Sequence, residues 1–243
     1  MCGRLTLRAP AASWCQMFLP QLEPHELPEI PPGPRYNIAP TQRIATIVQH
    51  QPGDHRQLMF PRWGLVPSWA DDLAIGSRMI NARSETVDSK PSFKRAFASR
   101  RCLVLADGYY EWAKTASGKQ PYLIQPSEGG VVAMAGLWEA NKKLAVSDEE
   151  PILTCTILTT SANAATESIH DRMPVFLSES DYTTWLDSSF RDTDALKTLL
   201  RPAAADFLLA TPVSKRVGNV RNDDPECVEP VSIASEQFLF DND

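Results

Sequence analysis

The chain has 243 residues, 43% of them hydrophobic and 22% charged, with 24 Lys and Arg against 30 Asp and Glu for a formal net charge of -6. That length allows one large domain or two small ones with a real core, and the composition excludes global disorder. No run of ~18 apolar residues occurs, so no membrane-spanning helix is expected, and a negative net charge taken alone counts against a nucleic-acid partner.

The start, MCGRLTLRAPAAS, lacks the apolar segment of a secretion signal, and a cytoplasmic location is expected. Trp14, Met17 and Phe18 share one face at i, i+3 and i+4, which predicts a short helix over residues 11–19. Residues 20–40 hold seven prolines and read as an extended, ordered loop. Residues 43–50 and 58–63 read as strands. Phe93, Ala96 and Phe97 give an apolar face to a short helix after Pro91, ahead of a strand at 102–106.

Further strands are expected at 109–112, 122–124, 131–138 and 152–160, with a charged surface loop at 141–150. Two short helices are expected in 179–200, around Tyr182, Trp185 and Leu186 and around Leu196, Leu199 and Leu200. Many strands with few short helices predict one α+β domain. It would be built on a curved, mixed, mainly antiparallel β-sheet, open-barrel-like, with short flanking helices. The domain would run over residues 1–235, with residues 236–243 an acidic, frayed tail.

The net charge conceals an asymmetry. Residues 1–110 carry 13 basic and 9 acidic residues, whereas residues 111–243 carry 11 basic and 21 acidic ones. Eleven of the 13 cations in the first part are arginine, whose planar fork suits phosphate oxygens and flat rings. The five cysteines are odd in number, widely spaced and without a C-x-x-C pair, so neither a disulfide framework nor a thiolate zinc site is indicated. Cys102 and Cys155 lie in apolar runs and read as buried small hydrophobes. The four histidines lack metal-binding spacing, and no metal or cofactor is expected.

Cys2 is the most informative residue. Removal of the initiator methionine, usual before so small a residue, would give Cys2 a free α-amine beside its thiol. With a reference pKa of about 7.7–8.0, that amine is partly neutral near pH 7. The pair can capture one aldehyde twice, first as a Schiff base and then as a five-membered thiazolidine. The amine can also act as base for its own side chain, as in N-terminal nucleophiles. On position alone, an incidental second residue is the better account. A lipid anchor is poorly supported, because no signal sequence precedes the cysteine.

His170, in Ile-His-Asp-Arg-Met-Pro (169–174), can be an acid/base, a phosphate contact or a structural histidine. Glu111, in Asp-Gly-Tyr-Tyr-Glu-Trp (107–112), is either a proton shuttle in a partly apolar site or a surface carboxylate. In the latter case Tyr110 and Trp112 would face the core. Asn-Ala-Arg-Ser-Glu (81–85) gathers an amide, a guanidinium and a hydroxyl, while Trp63 and Trp69 flank a rigid turn and are either base-stacking or core aromatics.

Together these segments resemble the SOS-response-associated peptidase (SRAP) family of abasic-site-processing proteins. The matching stretches are 1–4, 35–40, 63–69, 81–86, 102–112, 135–138, 169–175 and 217–222, eight in order along nearly the whole chain. The resemblance implies binding to single-stranded DNA and a thiazolidine link between Cys2 and the ring-opened aldehyde of an abasic site. By the same resemblance, Asn81 orients the Cys2 amine and the sugar, Glu111 shuttles the proton for ring opening and Schiff-base formation, and His170 acts as general acid/base and assists reversal. Arg4, Asn37, Trp69, Arg83, Thr159 and Arg172 are the implied DNA contacts, with Arg83 and Arg172 the phosphate clamps. β-Elimination and self-processing peptidase activity are implied side activities, and a monomer is expected.

Two other classes remain open from sequence. Class II glutamine amidotransferases also begin Met-Cys-Gly, but continue with an apolar residue where this chain has Arg4, and carry an Arg-Gly-x-Asp segment absent here. A binding module that shields damaged DNA without covalent chemistry would use the same groove.

Overall fold

The computed structural model describes residues 2–21, 33–51, 53–116, 118–145 and 150–232. Short apolar runs form strands buried on both faces, as in Arg101–Ala106, where all six residues are buried. In chain order the first half contains β1 (Leu5–Leu7), α1 (Ala11–Phe18), β2 (Arg35–Ile38), β3 (Thr46–Val48), β4 (Gln57–Met59), β5 (Arg62–Trp63) and β6 (Asn81–Arg83). Then follow α2 (Lys94–Ser99), β7 (Arg101–Ala106), β8 (Gly108–Thr115), β9 (Gly118–Pro126), β10 (Val132–Asn141) and β11 (Ile152–Ser161). The last elements are β12 (Arg172–Pro174), α3 (Tyr182–Leu186), α4 (Thr193–Thr198) and β13 (Leu208–Pro212).

The fold is the expected α+β type, a curled, mixed and mainly antiparallel half-barrel in one domain. Hydrogen bonding divides it into a five-stranded sheet, β13-β9-β8-β1-β2, and an eight-stranded one, β12-β11-β10-β7-β3-β4 with β5 and β6 alongside β11. The β5–β11 and β6–β11 ladders are the parallel ones.

The two sheets meet where the chain turns from β7 into β8. Asp107, 6% exposed, accepts the Thr6 hydroxyl at 2.6 Å and the backbone N–H groups of Arg8 and Ala9. The Arg8 guanidinium completes this set at 3.1 Å. Gly108 is required next to it, because a Cβ there would lie 2.8 Å from the Thr6 hydroxyl and 3.0 Å from a Leu123 methyl. A second close approach fixes the turn after β5. Gly64 has φ +116°, and a Cβ on it would stand 2.6 Å from the Gly76 carbonyl oxygen.

β8 buries both faces, and its period-2 geometry separates their roles. Tyr109 joins the main core, with Trp63, Phe97 and Trp185. Tyr110 joins a smaller cluster with Leu123, Val213, Val217 and Cys227, and its hydroxyl donates to the Tyr36 carbonyl at 2.7 Å. Arg101, 2% exposed, sends its guanidinium to carbonyls at the ends of α2 and α3, those of Phe97, Ala98, Trp185 and Asp187. Those terminal carbonyls need donors, and a cation there suits the helix dipoles.

Several expectations are corrected. The run 58–63 is two strands, β4 and β5, because Pro61 has no N–H to continue a ladder. The segment 20–40 contains β2, while residues 22–32 lie outside the described residues. Asn141 closes β10 and is buried, its side chain donating to the Pro67 and Ala70 carbonyls, so the loop begins after it. Trp63 is a core residue at 0% exposure and not a stacking surface. The expected tail, 236–243, lies outside the described residues. Among the described residues no helix is long and apolar enough to cross a membrane.

Replacing Asp107 by alanine strips a buried acceptor from four donors at the sheet junction and is expected to cost about 3 kcal/mol. Thr6→Val removes one donor and should cost about 1 kcal/mol. Urea unfolding of the two variants beside the parent protein measures both, and equal midpoints for all three would contradict the role given to this corner.

Candidate functional site

The site is assembled at the start of the chain. β1 is held on one edge by β2 and on the other by β8, and the Arg4 carbonyl accepts from the Tyr110 N–H at 3.0 Å. This pairing sets the residues before Leu5 against β8, at the level of Glu111. Cys2 is fully buried there, and its carbonyl accepts from Asn81 Nδ2 at 2.7 Å. Burial pushes the Cys2 thiol well above the ordinary cysteine value, and the nearby Glu111 carboxylate pushes it further.

Local geometry explains how each partner arrives. β6 is three residues long, so alternation buries Ala82 at 1% exposure and turns Asn81 and Arg83 to the opposite face. β6 is parallel to β11, with Asn81 opposite Ile157 and Arg83 opposite Thr159. On β8, alternation places Tyr109 and Glu111 on one face, with Tyr110 and Trp112 on the other. Glu111 is 4% exposed. The reading of Glu111 as a surface carboxylate is therefore wrong, whereas Tyr110 does face a core, the smaller one.

His170 lies on the turn ahead of β12. Its N–H donates to the Thr166 carbonyl at 3.0 Å, and its Nδ1 accepts from the Arg172 N–H at 3.0 Å. The Asp171 carboxylate also stands 2.8 Å from the same Nδ1, so the ring is held at that nitrogen by both neighbours.

The expected DNA contacts divide by burial. Arg83 is exposed, and Trp69 is 53% exposed on the turn after β5. Asn37 and Thr159 are at 0% exposure, which withdraws both side chains from direct contact with anything outside the protein. Asn37 instead clamps the segment 217–222, its Nδ2 lying 2.6–3.1 Å from the carbonyls of Val217, Asn219 and Asn222. Arg4 is half-buried and serves the same clamp. It donates to Asn37 Oδ1 at 2.7 Å and to the Val217 carbonyl at 2.6 Å, with its guanidinium 5.8 Å from the centre of the Trp112 ring.

Arg172 is not an open phosphate clamp. It forms a bidentate pair with Glu85 at 2.6 and 2.9 Å and also donates to the Thr159 carbonyl at 2.5 Å. Arg172 donation holds the Glu85 carboxyl below the usual value. Two residues beside this group escape sequence reasoning, Tyr109 and Thr166. The period-2 pattern that pairs Tyr109 with Glu111 was available as a signal for the first; nothing in sequence marks the second.

Chemically, the arrangement joins a buried thiol, a carboxylate and an amide donor, and the turn that carries His170 reaches this group through Thr166, beside Tyr109. Among the described residues no group of three or more His, Cys, Asp or Glu has the arrangement of a metal site.

The model of the family described as SOS response associated peptidase (SRAP) matches residues 1–220. The chain is 41% identical over 235 residues to the abasic site processing protein YoqW of Bacillus subtilis, covering 94% of this chain and 99% of that one. It is 30% identical to the abasic site processing protein YedK of Escherichia coli, covering 95% and 100%. It is 35% identical to the abasic site processing protein HMCES of Gallus gallus, covering 82% and 67%. A solved structure from Bacteroides thetaiotaomicron shares the fold with a TM-score of 0.80 at 24% identity, covering 95% of this chain and all of that one.

The Arg172–Glu85 pair has a definite pH signature. A carboxylate held low contributes fully above the unfolded glutamate value, about 4.3, and loses its contribution as pH falls through the lower folded value. A carboxyl-carbon NMR titration should find the Glu85 midpoint below 4.3, and Arg172→Gln should return it toward 4.3. A Glu85 midpoint unaffected by R172Q would show that the pair does not form in solution.

Proposed function

Because the chain belongs to the SOS response associated peptidase (SRAP) family, we propose that it processes abasic sites in single-stranded DNA by a covalent thiazolidine crosslink through Cys2. The observation that carries this reading is the burial of Cys2, with its carbonyl held by Asn81 and its thiol close to the buried Glu111 carboxylate. The names of the relatives supply the substrate class.

Removal of Met1 frees the α-amine. The neutral amine attacks the C1 aldehyde of the ring-opened sugar to give a carbinolamine. Glu111 in its acid form protonates the departing hydroxyl, water leaves, and the iminium remains. The thiol then adds to the iminium carbon. As the S–C bond forms, the C=N π pair becomes the nitrogen lone pair and the thiol proton passes to Glu111, which is restored to its acid form. One carboxyl group therefore completes both halves without a net proton change. Asn81 fixes the Cys2 backbone, which limits rotation of the amine away from the aldehyde. His170 acts as general acid/base on the sugar hydroxyl or ring oxygen.

An iminium also acidifies the adjacent sugar carbon, so β-elimination competes until the ring closes. Ring closure suppresses that route. For the strand itself, Arg83 and Trp69 are the exposed contacts, a cation for phosphate and a ring for an unstacked base. So small a cationic footprint implies weak binding of intact DNA. Capture of the lesion then depends on the covalent bond.

Intact mass spectrometry of the protein lacking Met1, mixed with a uracil-excised single-stranded oligonucleotide, tests the proposal. A one-to-one adduct stable to heat and denaturant is expected. Cys2→Ala should abolish it, and Cys2→Ser should leave only a borohydride-trappable imine. A heat-stable adduct on C2A would exclude the thiazolidine, and equal retention of intact and abasic strands with no adduct would favour a non-covalent binder.

A further inference from the structure

Tyr109 is fully buried, and its hydroxyl has no hydrogen-bond partner of ordinary geometry among the described residues. A buried hydroxyl left in that condition costs stability, and few sites in a folded protein retain one. Its surroundings are polar on one side only. Its ring packs against Phe176, with centroids 6.3 Å apart. The hydroxyl end looks toward Cys2, Glu111 and Thr166, whose charges or dipoles act on it directly. Thr166 sends its own proton to Asn163 Oδ1 at 3.1 Å, and its oxygen lies beside the Tyr109 hydroxyl without ordinary hydrogen-bond geometry. Burial, reinforced by Cys2 and Glu111, keeps the phenol protonated far above neutral pH. The site thus holds a donor whose proton is retained and makes no bond of ordinary geometry in the resting protein.

The register accounts for this placement. Tyr109 lies opposite Leu5 on β1, and Glu111 follows two residues later on the same face of β8. The residue-2 aminothiol comes to that face from β1. Thr166 belongs to the turn whose carbonyl accepts from the His170 N–H. Tyr109 consequently stands between the Cys2–Glu111 group and the turn that presents His170.

We propose that Tyr109 is a further catalytic residue of this site, its hydroxyl donating a hydrogen bond to the Cys2 sulfur as that sulfur gains negative charge during ring closure. The proposal rests on the crosslinking reading above. Tyr109 gains and loses no proton. The S–C bond forms, the C=N π pair moves to nitrogen and the thiol proton goes to Glu111, while the phenol offsets the charge in transit. Donation to a thiolate opposes the upward push that burial and Glu111 exert on this thiol. Schiff-base formation, which uses the amine, does not need this donor.

Tyr109→Phe keeps the ring and removes only the oxygen. With the full chain lacking Met1 and a uracil-excised single-stranded oligonucleotide, single-turnover samples are divided between borohydride trapping, which reads imine, and heating, which reads closed ring. In Y109F the imine should form within about twofold of the parent rate, while the ring closes about tenfold more slowly at pH 7. The ascending limb of its pH–rate curve should move up by about one unit. The thermal midpoint should stay level or rise, since no bond of ordinary geometry is lost. Unchanged ring closure and pH profile in Y109F overturn the proposal. A clearly lower midpoint overturns it too, because it would reveal a structural bond. Absence of any adduct with the parent protein instead overturns the crosslinking reading itself.

Discussion

Everything at the site depends on holding β1 against β8, and a single buried carboxylate does most of that. Asp107 collects a hydroxyl and two backbone N–H groups from the segment Thr6–Ala9 just as the chain leaves β7 for β8. These are charge-assisted bonds in a poorly hydrated corner, where a lost partner is costly. The corner is also where the two sheets join. It therefore fixes three things together: the angle between the sheets, the register of β1, and the side chains of β8 that the second residue meets. Gly108 belongs to the same constraint, since any side chain there would push Thr6 away from the carboxylate.

The arginines show how charge is redistributed by folding. The excess of cations in residues 1–110 suggests a basic groove, but many of those guanidiniums serve the interior. Arg8 holds Asp107, Arg35 holds Asp223, Arg100 holds Glu139, and Arg101 gathers helix-end carbonyls. Arg4 ties the start of the chain to the segment 217–222. Composition counts formal charges, whereas a polyanion feels only those left without internal partners. The arginine content is largely an internal scaffold, and the surface available to a phosphate chain is narrower than the count implies.

Sequence reading succeeded where the signal was local and failed where it was topological. The long β-branched and apolar runs that became β7, β10 and β11 were visible, as were the helices after Pro10 and Pro91. Strands β1, β2, β6, β12 and β13 have five residues or fewer, too short for a period to declare itself, and exist because a neighbour's ladder recruits them. The same limit applies to individual side chains. Asn37 and Thr159 have the chemistry of nucleic-acid contacts, and only tertiary structure shows that they are spent on carbonyls and on Arg172. Glu111 was legible by its motif. Tyr109 carries the same period-2 signal but reads as core, because a tyrosine in a strand is ordinarily core, and most of this one is.

The interior position of β1 has a consequence for how freely Cys2 can move. Chain ends are usually the loosest part of a fold. Here the strand that follows Cys2 is paired on both edges, with β2 on one side and β8 on the other. Drawing Cys2 out of its place would mean parting two ladders and the Asp107 corner. Residue 2 therefore inherits the rigidity of the sheet and not the looseness of a terminus.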